Sequence, residues 1–139
     1  MAVKNYLIHT EYDFLLLGIS CGEKPYRLCW ALNNHLKTAF QKGEDRESTE
    51  KNKIHRSRFP VFYFQDEEMH MEYRIIVNKM HNKIFISECK QADYLLMIHG
   101  EFSLIDKTPI MRKLKEVSFI QTIFEINLSN IKSKENLIF

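Results

Sequence analysis

Apolar residues recur at strand or helix spacing along most of this chain. Residues 14–19 are apolar at every position except one glycine, which indicates a central β-strand covered on both faces. Residues 6–9 can form a short strand before it. Pro25 then opens a segment whose apolar positions recur every three or four residues, so a long helix is predicted over about residues 25–41. The buried stripe of that helix is expected to contain Cys29, Leu32, Leu36 and Phe40.

The middle of the chain predicts a loop followed by a β-hairpin. Residues 42–57 are polar, mixed in charge and without period, which is typical of a long loop. Residues 61–64 are β-prone and residues 69–77 alternate between apolar and polar positions, so the two segments are expected to pair. A turn at residues 81–83 and a short apolar segment at residues 84–86 follow. The inward positions of the alternating strand are predicted to be Met69, Met71, Tyr73, Ile75 and Val77.

Three further elements are predicted in the last third of the chain. Residues 93–99 form an apolar strand, and Thr108 with Pro109 signals the start of a short helix over about residues 109–117. Residues 119–128 alternate again and predict a final strand. The positions expected to share its apolar face are Ile120, Phe124, Ile126 and Leu128, with Ile123 among the polar residues of the other face.

The order of these elements predicts an α+β fold. The connections among the later strands are too short for crossover helices, so the sheet is expected to be mainly antiparallel. A two-layer architecture follows, with the long helix packed on one face of the sheet. All 139 residues are expected to form a single domain, ending in a tail at residues 129–139 that is polar until Leu137, Ile138 and Phe139.

Composition and charge restrict the function only weakly. The formal net charge is +2, so the whole molecule has no strong electrostatic attraction to nucleic acid or to anionic lipid. Three cysteines without a C-x-x-C pair favour a reducing compartment, with each thiol acting as a small core residue. The N-terminal segment has no long apolar run, and no stretch approaches the length of a membrane span. We therefore expect a cytoplasmic protein that does not contact a membrane.

The segment from Ile86 to Tyr94, referred to below as the signature segment, resembles the motif of the IPExxxVDY family of small bacterial proteins. Glu88, Asp93, Tyr94 and their spacing are kept, whereas Ser87 replaces proline and Ala92 replaces valine. Ser87 can cap one short turn of helix where proline would start one. The stretch from residue 26 to residue 33, Tyr-Arg-Leu-Cys-Trp-Ala-Leu-Asn, is similar to a helix of that family, and residues 13–19 resemble its first long strand. The resemblance covers roughly residues 10–100 and implies a cytoplasmic bacterial protein without an assigned activity.

Glu88, Asp93 and Tyr94 are the candidate site residues of the signature segment. Two carboxylates and a phenol can act together as acid, base and binding groups in a small enzyme or a ligand-binding domain. The alternative, which we favour, is structural: carboxylates at a junction between turn and strand bond local backbone N–H groups. Tyr94 would then pack its ring and satisfy its hydroxyl, and neighbours in a strand point to opposite faces.

Other catalytic and cofactor chemistry has little support in the sequence. The six histidines, His9, His35, His55, His70, His81 and His99, show no ligand spacing, so neither a metal site nor a cofactor is predicted. His99 is expected to reach a carboxylate across the sheet. No nucleophile elbow or phosphate-binding glycine loop is present, and Cys29 lies on the buried stripe of the predicted helix.

The leading hypothesis is a non-enzymatic protein-interaction module, because no catalytic constellation is visible. An antiparallel sheet has edge strands that can pair with a partner protein or with a second copy of the chain. The last strand and the apolar end of the tail are the expected contact segments. RNA binding is an alternative that rests on a basic cluster in the polar loop, which mixes with acidic residues just before it. That cluster consists of Lys51, Lys53, Arg56 and Arg58.

Overall fold

A six-stranded antiparallel sheet forms around the apolar strand at residues 14–21. The computed structural model describes residues 14–48, 57–100, 106–132 and 134–139. The strand predicted at residues 6–9 lies outside those ranges. The strands of the large sheet are β1 (Phe14–Cys21), β2 (Gln41–Lys42), β5 (Val61–Asp66), β6 (Met71–Val77), β9 (Tyr94–His99) and β10 (Ile120–Glu125), in the order β10-β1-β9-β6-β5-β2. Two small ribbons are formed by β3 (Arg46–Glu47) with β4 (Arg58–Phe59), and by β7 (Lys79–Met80) with β8 (Lys83–Ile84).

Two helices cover one face of this sheet. Helix α1 (Pro25–Leu36) inserts Leu28 and Leu32, both fully buried, and helix α2 (Lys107–Lys115) adds Leu114. Asp106 caps α2 by accepting a hydrogen bond from the backbone N–H of Thr108 at 3.1 Å. The predicted α+β class with a mainly antiparallel sheet is therefore confirmed. No helix within the described ranges is long and apolar enough to cross a membrane.

Helix α1 is shorter than its apolar period predicts. It ends at Leu36 instead of near residue 41, because Lys37 takes a left-handed conformation with φ of 55°. The Oδ1 atom of Asn33 then accepts hydrogen bonds from the hydroxyl of Thr38 at 2.9 Å and the backbone N–H of Phe40 at 2.8 Å. Phe40 is buried as expected, but the chain reaches that position through this turn and not through a helix.

The opposite face of the sheet is covered by segments without a long helix. This face contains the buried side chains of Phe14, Leu16, Leu95 and Met97. They cluster with buried residues of the signature segment and with Ile126, Leu128, Ile131 and Leu137. Both faces of β1 are therefore covered, as its apolar run predicts. The tail folds back on its own domain through two short 3-10 helices, Leu128–Asn130 and Lys134–Leu137, and buries Ile131 and Leu137.

The predicted hairpin is present, with Val61 opposite Ile76 and Phe64 opposite Tyr73. Met69, an inward position in the sequence pattern, instead lies in the connecting turn and is 51% exposed. The polar loop predicted at residues 42–57 contains short paired strands at its described ends, because β2 joins the edge of the sheet beside β5 and β3 pairs with β4.

The inward face of β10 differs from the prediction at its first residues. Ile120 and Ile123 point toward the helices, whereas Phe124, Ile126 and Leu128 pack on the opposite face. The cause is an irregular register: Ser20 pairs with Thr122 but Cys21 pairs with Ile120, so Gln121 is an extra residue. A bulge of this kind reverses the in–out alternation on either side of it.

Candidate functional site

The signature segment folds around one buried side chain, that of Asn78 at the end of β6. Its amide group donates to the carbonyl oxygens of Cys89 at 3.0 Å and Ala92 at 2.9 Å, and its Oδ1 accepts from the N–H of Ile86 at 2.8 Å. Its backbone N–H donates to Asp93 O at 2.9 Å, and its carbonyl accepts from the N–H of Phe85 at 2.8 Å. Asn78 is completely buried, so these bonds supply partners that water cannot reach.

Asp93 bonds a backbone N–H of a distant segment, whereas the structural interpretation expected a bond within its own turn. Its Oδ2 accepts a hydrogen bond from the N–H of Cys21 at 2.8 Å, at the point where β1 ends. Its Oδ1 lies 3.8 Å from the ammonium group of Lys79, and both side chains are about one-third exposed. Asp93 therefore joins the end of β1 to the start of β9, and it also touches one surface lysine.

Glu88 and Tyr94 contact two other parts of the chain. The Oε2 of Glu88, in the 3-10 helix Ser87–Cys89, accepts a hydrogen bond from the backbone N–H of Lys132 in the tail. Tyr94 is buried on the helix side of the sheet, and its hydroxyl donates to the carbonyl oxygen of Glu23 just before α1. Burial raises the pKa of the Tyr94 phenol far above its usual value. The three candidate side chains thus hold three different segments of backbone.

The cysteines have the environment of core residues. Cys21, Cys29 and Cys89 are free and buried. Burial raises the pKa of the Cys29 thiol to about 12 and that of the Cys89 thiol to about 11, and it also raises the pKa of Cys21. A thiol held in its neutral form is a poor nucleophile at neutral pH.

The histidines are dispersed. His70 and His81 are exposed in turns, and His35 contacts the carbonyl oxygen of Ala31 at 3.2 Å. His99 lies opposite Glu72 in the sheet, its Nδ1 is 3.5 Å from the guanidinium of Arg74, and its ring contacts that of Phe14 at a tilt of 41°. In the described part of the chain, no three His, Cys, Asp or Glu side chains are grouped as metal ligands. His9 and His55 lie outside that part.

The basic cluster predicted for RNA is visible at one residue only. Arg58 is exposed and its Nε lies 3.3 Å from the Oε1 of Glu47, so an acidic neighbour partly neutralises it. Lys51, Lys53 and Arg56 lie outside the described residues.

Two surface features are not predicted by the sequence pattern. Tyr26 and Trp30 on α1 are 69% and 67% exposed. Both lie in residues 26–33, the stretch that is similar to a helix of the IPExxxVDY family. Whether their side chains are exposed depends on which side of α1 faces the sheet. The second feature is an open depression beside the β7–β8 ribbon. Its lining includes three lysines, Lys79, Lys83 and Lys90. These lysines are separated in sequence and show no motif.

No protein-family model, curated protein or solved structure matches this chain. The resemblance of the signature segment to the IPExxxVDY motif therefore stays a prediction, and the function has to be argued from the residues themselves.

Proposed function

We propose that this chain is a non-enzymatic protein-interaction module of the bacterial cytoplasm, and that it binds its partner through the outward face of α1. The observation that carries the proposal is the exposure of Tyr26 and Trp30, at 69% and 67%. They are four residues apart, so they lie side by side on the helix. Leu28 and Leu32 mark the opposite, buried side.

Within the described ranges, neither aromatic belongs to the hydrophobic core. The α1 side chains that contribute to the core are others, and an exposed ring gains little when the chain folds. Tyr and Trp are the residues most enriched at the energetic centres of protein interfaces, because each buries a large rigid surface at small entropic cost. A pair at adjacent positions supplies the centre of such a contact.

The charge around this face indicates the chemistry of the partner. The helices and their flanks, residues 23–37 and 106–117, have more basic than acidic residues, although the whole chain is nearly balanced. The basic residues are Lys24, Arg27, Lys37, Lys107, Arg112, Lys113 and Lys115, and the acidic ones are Glu23, Asp106 and Glu116. Lys107 pairs with Glu125 and Arg27 with Glu23, and the remaining excess of basic residues in the two helices favours a protein partner with an acidic surface.

The sheet edges are the second route to association, and they are less suited to it. β2 has two residues, and β10 carries a bulge and exposed polar side chains. Short, bulged and polar edges discourage strand pairing. The tail, an expected contact segment, buries Leu137 in its own domain and leaves Phe139 46% exposed.

Affinity capture from native cells tests the proposal, with the tagged wild-type chain as bait and Tyr26→Ser/Trp30→Ser as the main variant. Met69→Ser serves as the matched control, because Met69 is also a large exposed apolar residue but lies in the turn between β5 and β6. The double variant should lose a protein that the wild type and the control both recover, and raising the salt concentration should weaken that recovery. A ribonuclease-treated sample separates a protein partner from an RNA-bridged one. Equal recovery by all three baits, or recovery that ribonuclease abolishes, contradicts the proposal.

A further inference from the structure

Arg27 lies on the exposed face of α1, next to both aromatic residues, and its side chain is 59% exposed. Tyr26 precedes it directly and Trp30 follows it by three positions. Residues three or four apart on a helix are neighbours on its surface, so Trp30 is flanked by both Arg27 and Tyr26. Trp, Tyr and Arg are the residue types most enriched at the energetic centres of protein interfaces, and here they form one continuous patch.

Two contacts hold the Arg27 guanidinium in place. Its central carbon lies 5.5 Å from the centroid of the Phe119 ring, which is half-buried just before β10 and packs against the core. Its Nε lies 3.6 Å from the Oε2 of Glu23. Because a guanidinium stacks on an aromatic face, the ring of Phe119 restricts its orientation. A group that is already ordered loses less conformational entropy when it binds.

The N–H donors of this guanidinium are left without acceptors in the described part of the chain. The distance of 3.6 Å to Glu23 is too long for a hydrogen bond, and the Arg27 side chain makes no other polar contact there. Arg46, by contrast, donates to the carbonyl oxygens of Asn136 at 3.2 Å and Glu135 at 3.3 Å. An exposed ion pair between residues four apart is weak, so Glu23 competes little for Arg27. The donors are therefore available to an acceptor on another molecule.

We infer that Arg27 determines the specificity of the α1 surface by binding a carboxylate of the partner, an inference that rests on the proposed function. A carboxylate accepts two parallel hydrogen bonds from the planar fork of a guanidinium. An apolar side chain of the partner packs on the neighbouring Trp30, excludes water and thereby strengthens these bonds. The partner segment thus carries Asp or Glu beside a large apolar residue. The excess of basic residues in the two helices favours the same acidic segment.

Selection of a phage-displayed random peptide library on the full chain supplies defined probes. Peptides that bind the wild type but not Tyr26→Ser/Trp30→Ser are ligands of the α1 surface, and they should contain Asp or Glu beside a large apolar residue. One such peptide is synthesised in two forms, with the acidic residue or with its amide, Asn or Gln. Fluorescence anisotropy of the labelled peptides then measures Kd for each form against the wild type and the Arg27 variants.

Arg27→Gln should bind the acidic peptide about tenfold more weakly than the wild type does, and the wild type should lose about the same factor with the amide peptide. Arg27→Gln should no longer distinguish the two peptides, because the pair is already broken. Arg27→Lys keeps the charge but not the planar fork, so it should recover only part of the affinity. Lys42→Gln is the matched control and should bind within about twofold of the wild type. Lys42 also pairs with a carboxylate, that of Asp45, and lies 6.0 Å from the ring centroid of Phe62, but it belongs to β2 at the sheet edge.

Three results would overturn the inference while the α1 surface stays supported. The peptides that depend on Tyr26 and Trp30 contain no acidic residue, or Arg27→Gln distinguishes the acidic and amide peptides as strongly as the wild type does. In the third, Arg27→Gln and Lys42→Gln weaken binding equally, which indicates net charge alone. A different result contradicts the proposed function as well: no selected peptide loses binding to Tyr26→Ser/Trp30→Ser.

Discussion

The signature segment and the outward face of α1 contrast in how their side chains are used. The backbone of the first is bonded by the Asn78 side chain, and its own Asp93 and Glu88 accept hydrogen bonds from backbone N–H groups of other segments. On the second, Tyr26 and Trp30 project into solvent. The polar side chains of the signature segment thus stabilise the fold. The exposed aromatic side chains lie instead on α1, whose sequence shows an ordinary helical pattern.

The difference has a physical reason. Residues 85–93 contain only one short 3-10 turn, so side chains must satisfy several of the buried N–H and carbonyl groups that its backbone bonds leave over. This requirement restricts which residues can stand there, and it produces a recognisable motif without any catalytic role. An exposed aromatic pair on a helix satisfies no such requirement, and this is why the proposed partner surface is placed there.

Asn78→Ala should produce the largest effect. The substitution takes the Asn78 amide away from the buried Ile86 N–H and from the Cys89 and Ala92 carbonyls, of which the Cys89 carbonyl still accepts the Ala92 N–H. We expect a loss of about 3–5 kcal/mol in the free energy of unfolding. Urea denaturation followed by circular dichroism measures it. Asn34→Ala is the control, because the exposed Asn34 makes one bond to Trp30 O at 2.8 Å and should cost less than about 1 kcal/mol. Equal losses for the two variants would refute the anchoring role of Asn78.

Substitutions on the two faces of α1 should separate folding from binding. Leu32 is fully buried, so Leu32→Ala should lower the free energy of unfolding by about 2–5 kcal/mol. Leu36 is half-buried, so Leu36→Ala should give a loss at the lower end of that range. Trp30→Ala should change stability by less than about 0.5 kcal/mol while it weakens partner recovery. A Trp30→Ala loss comparable to that of Leu32→Ala would show that Trp30 packs in the fold.

Alkaline pH should destabilise both regions through their buried thiols. Unfolded cysteines ionise near the ordinary pKa of 9.0, whereas the folded pKa is about 12 for Cys29 in α1 and about 11 for Cys89 in the signature segment. The folded state therefore binds more protons above pH 9, and stability falls as pH rises toward 11 or 12. Between pH 8 and pH 10 we expect a loss of about 1 kcal/mol per thiol.

Urea midpoints at these two pH values test the alkaline effect. Cys29→Ala and Cys89→Ala should each show a smaller difference between the two pH values than the wild type, whatever their stability at pH 8. If the pH dependence is the same in all three proteins, the thiols do not cause it.

Asp93→Asn and Glu88→Gln should produce the smallest effects. The amide oxygen of the introduced asparagine can still accept the Cys21 N–H, so only the charge on that bond and the weak pairing with Lys79 are lost. We expect about 0.5–1 kcal/mol for Asp93→Asn and less for the exposed Glu88→Gln, with partner recovery unchanged. Loss of binding or of an activity at unchanged stability would instead place a functional site in the signature segment.

The sequence by itself determined the elements whose burial follows a local period. The covered strand β1, the β5–β6 hairpin, the start of α1 at Pro25 and the α+β class are all readable, because each apolar pattern records which faces of one segment leave water. For Asp93, local chemistry predicted a bond to backbone N–H groups of its own turn, whereas the partner that the structure shows, the N–H of Cys21, is distant in sequence.

Only the tertiary structure decided features that depend on residues distant in sequence. Asn33 ends α1 by bonding the chain that turns back, and the bulge at Gln121 reverses the faces of β10 through its pairing with β1. In the sequence, Asn78 is a single polar residue after an alternating strand. It can hold the signature segment only because the fold brings residues 86–92 within hydrogen-bonding distance of its side chain. Lys79, Lys83 and Lys90 likewise share a depression because two ribbon strands and a 3-10 turn bring them together. Local periodicity records burial, whereas these contacts depend on how separate segments are placed against one another.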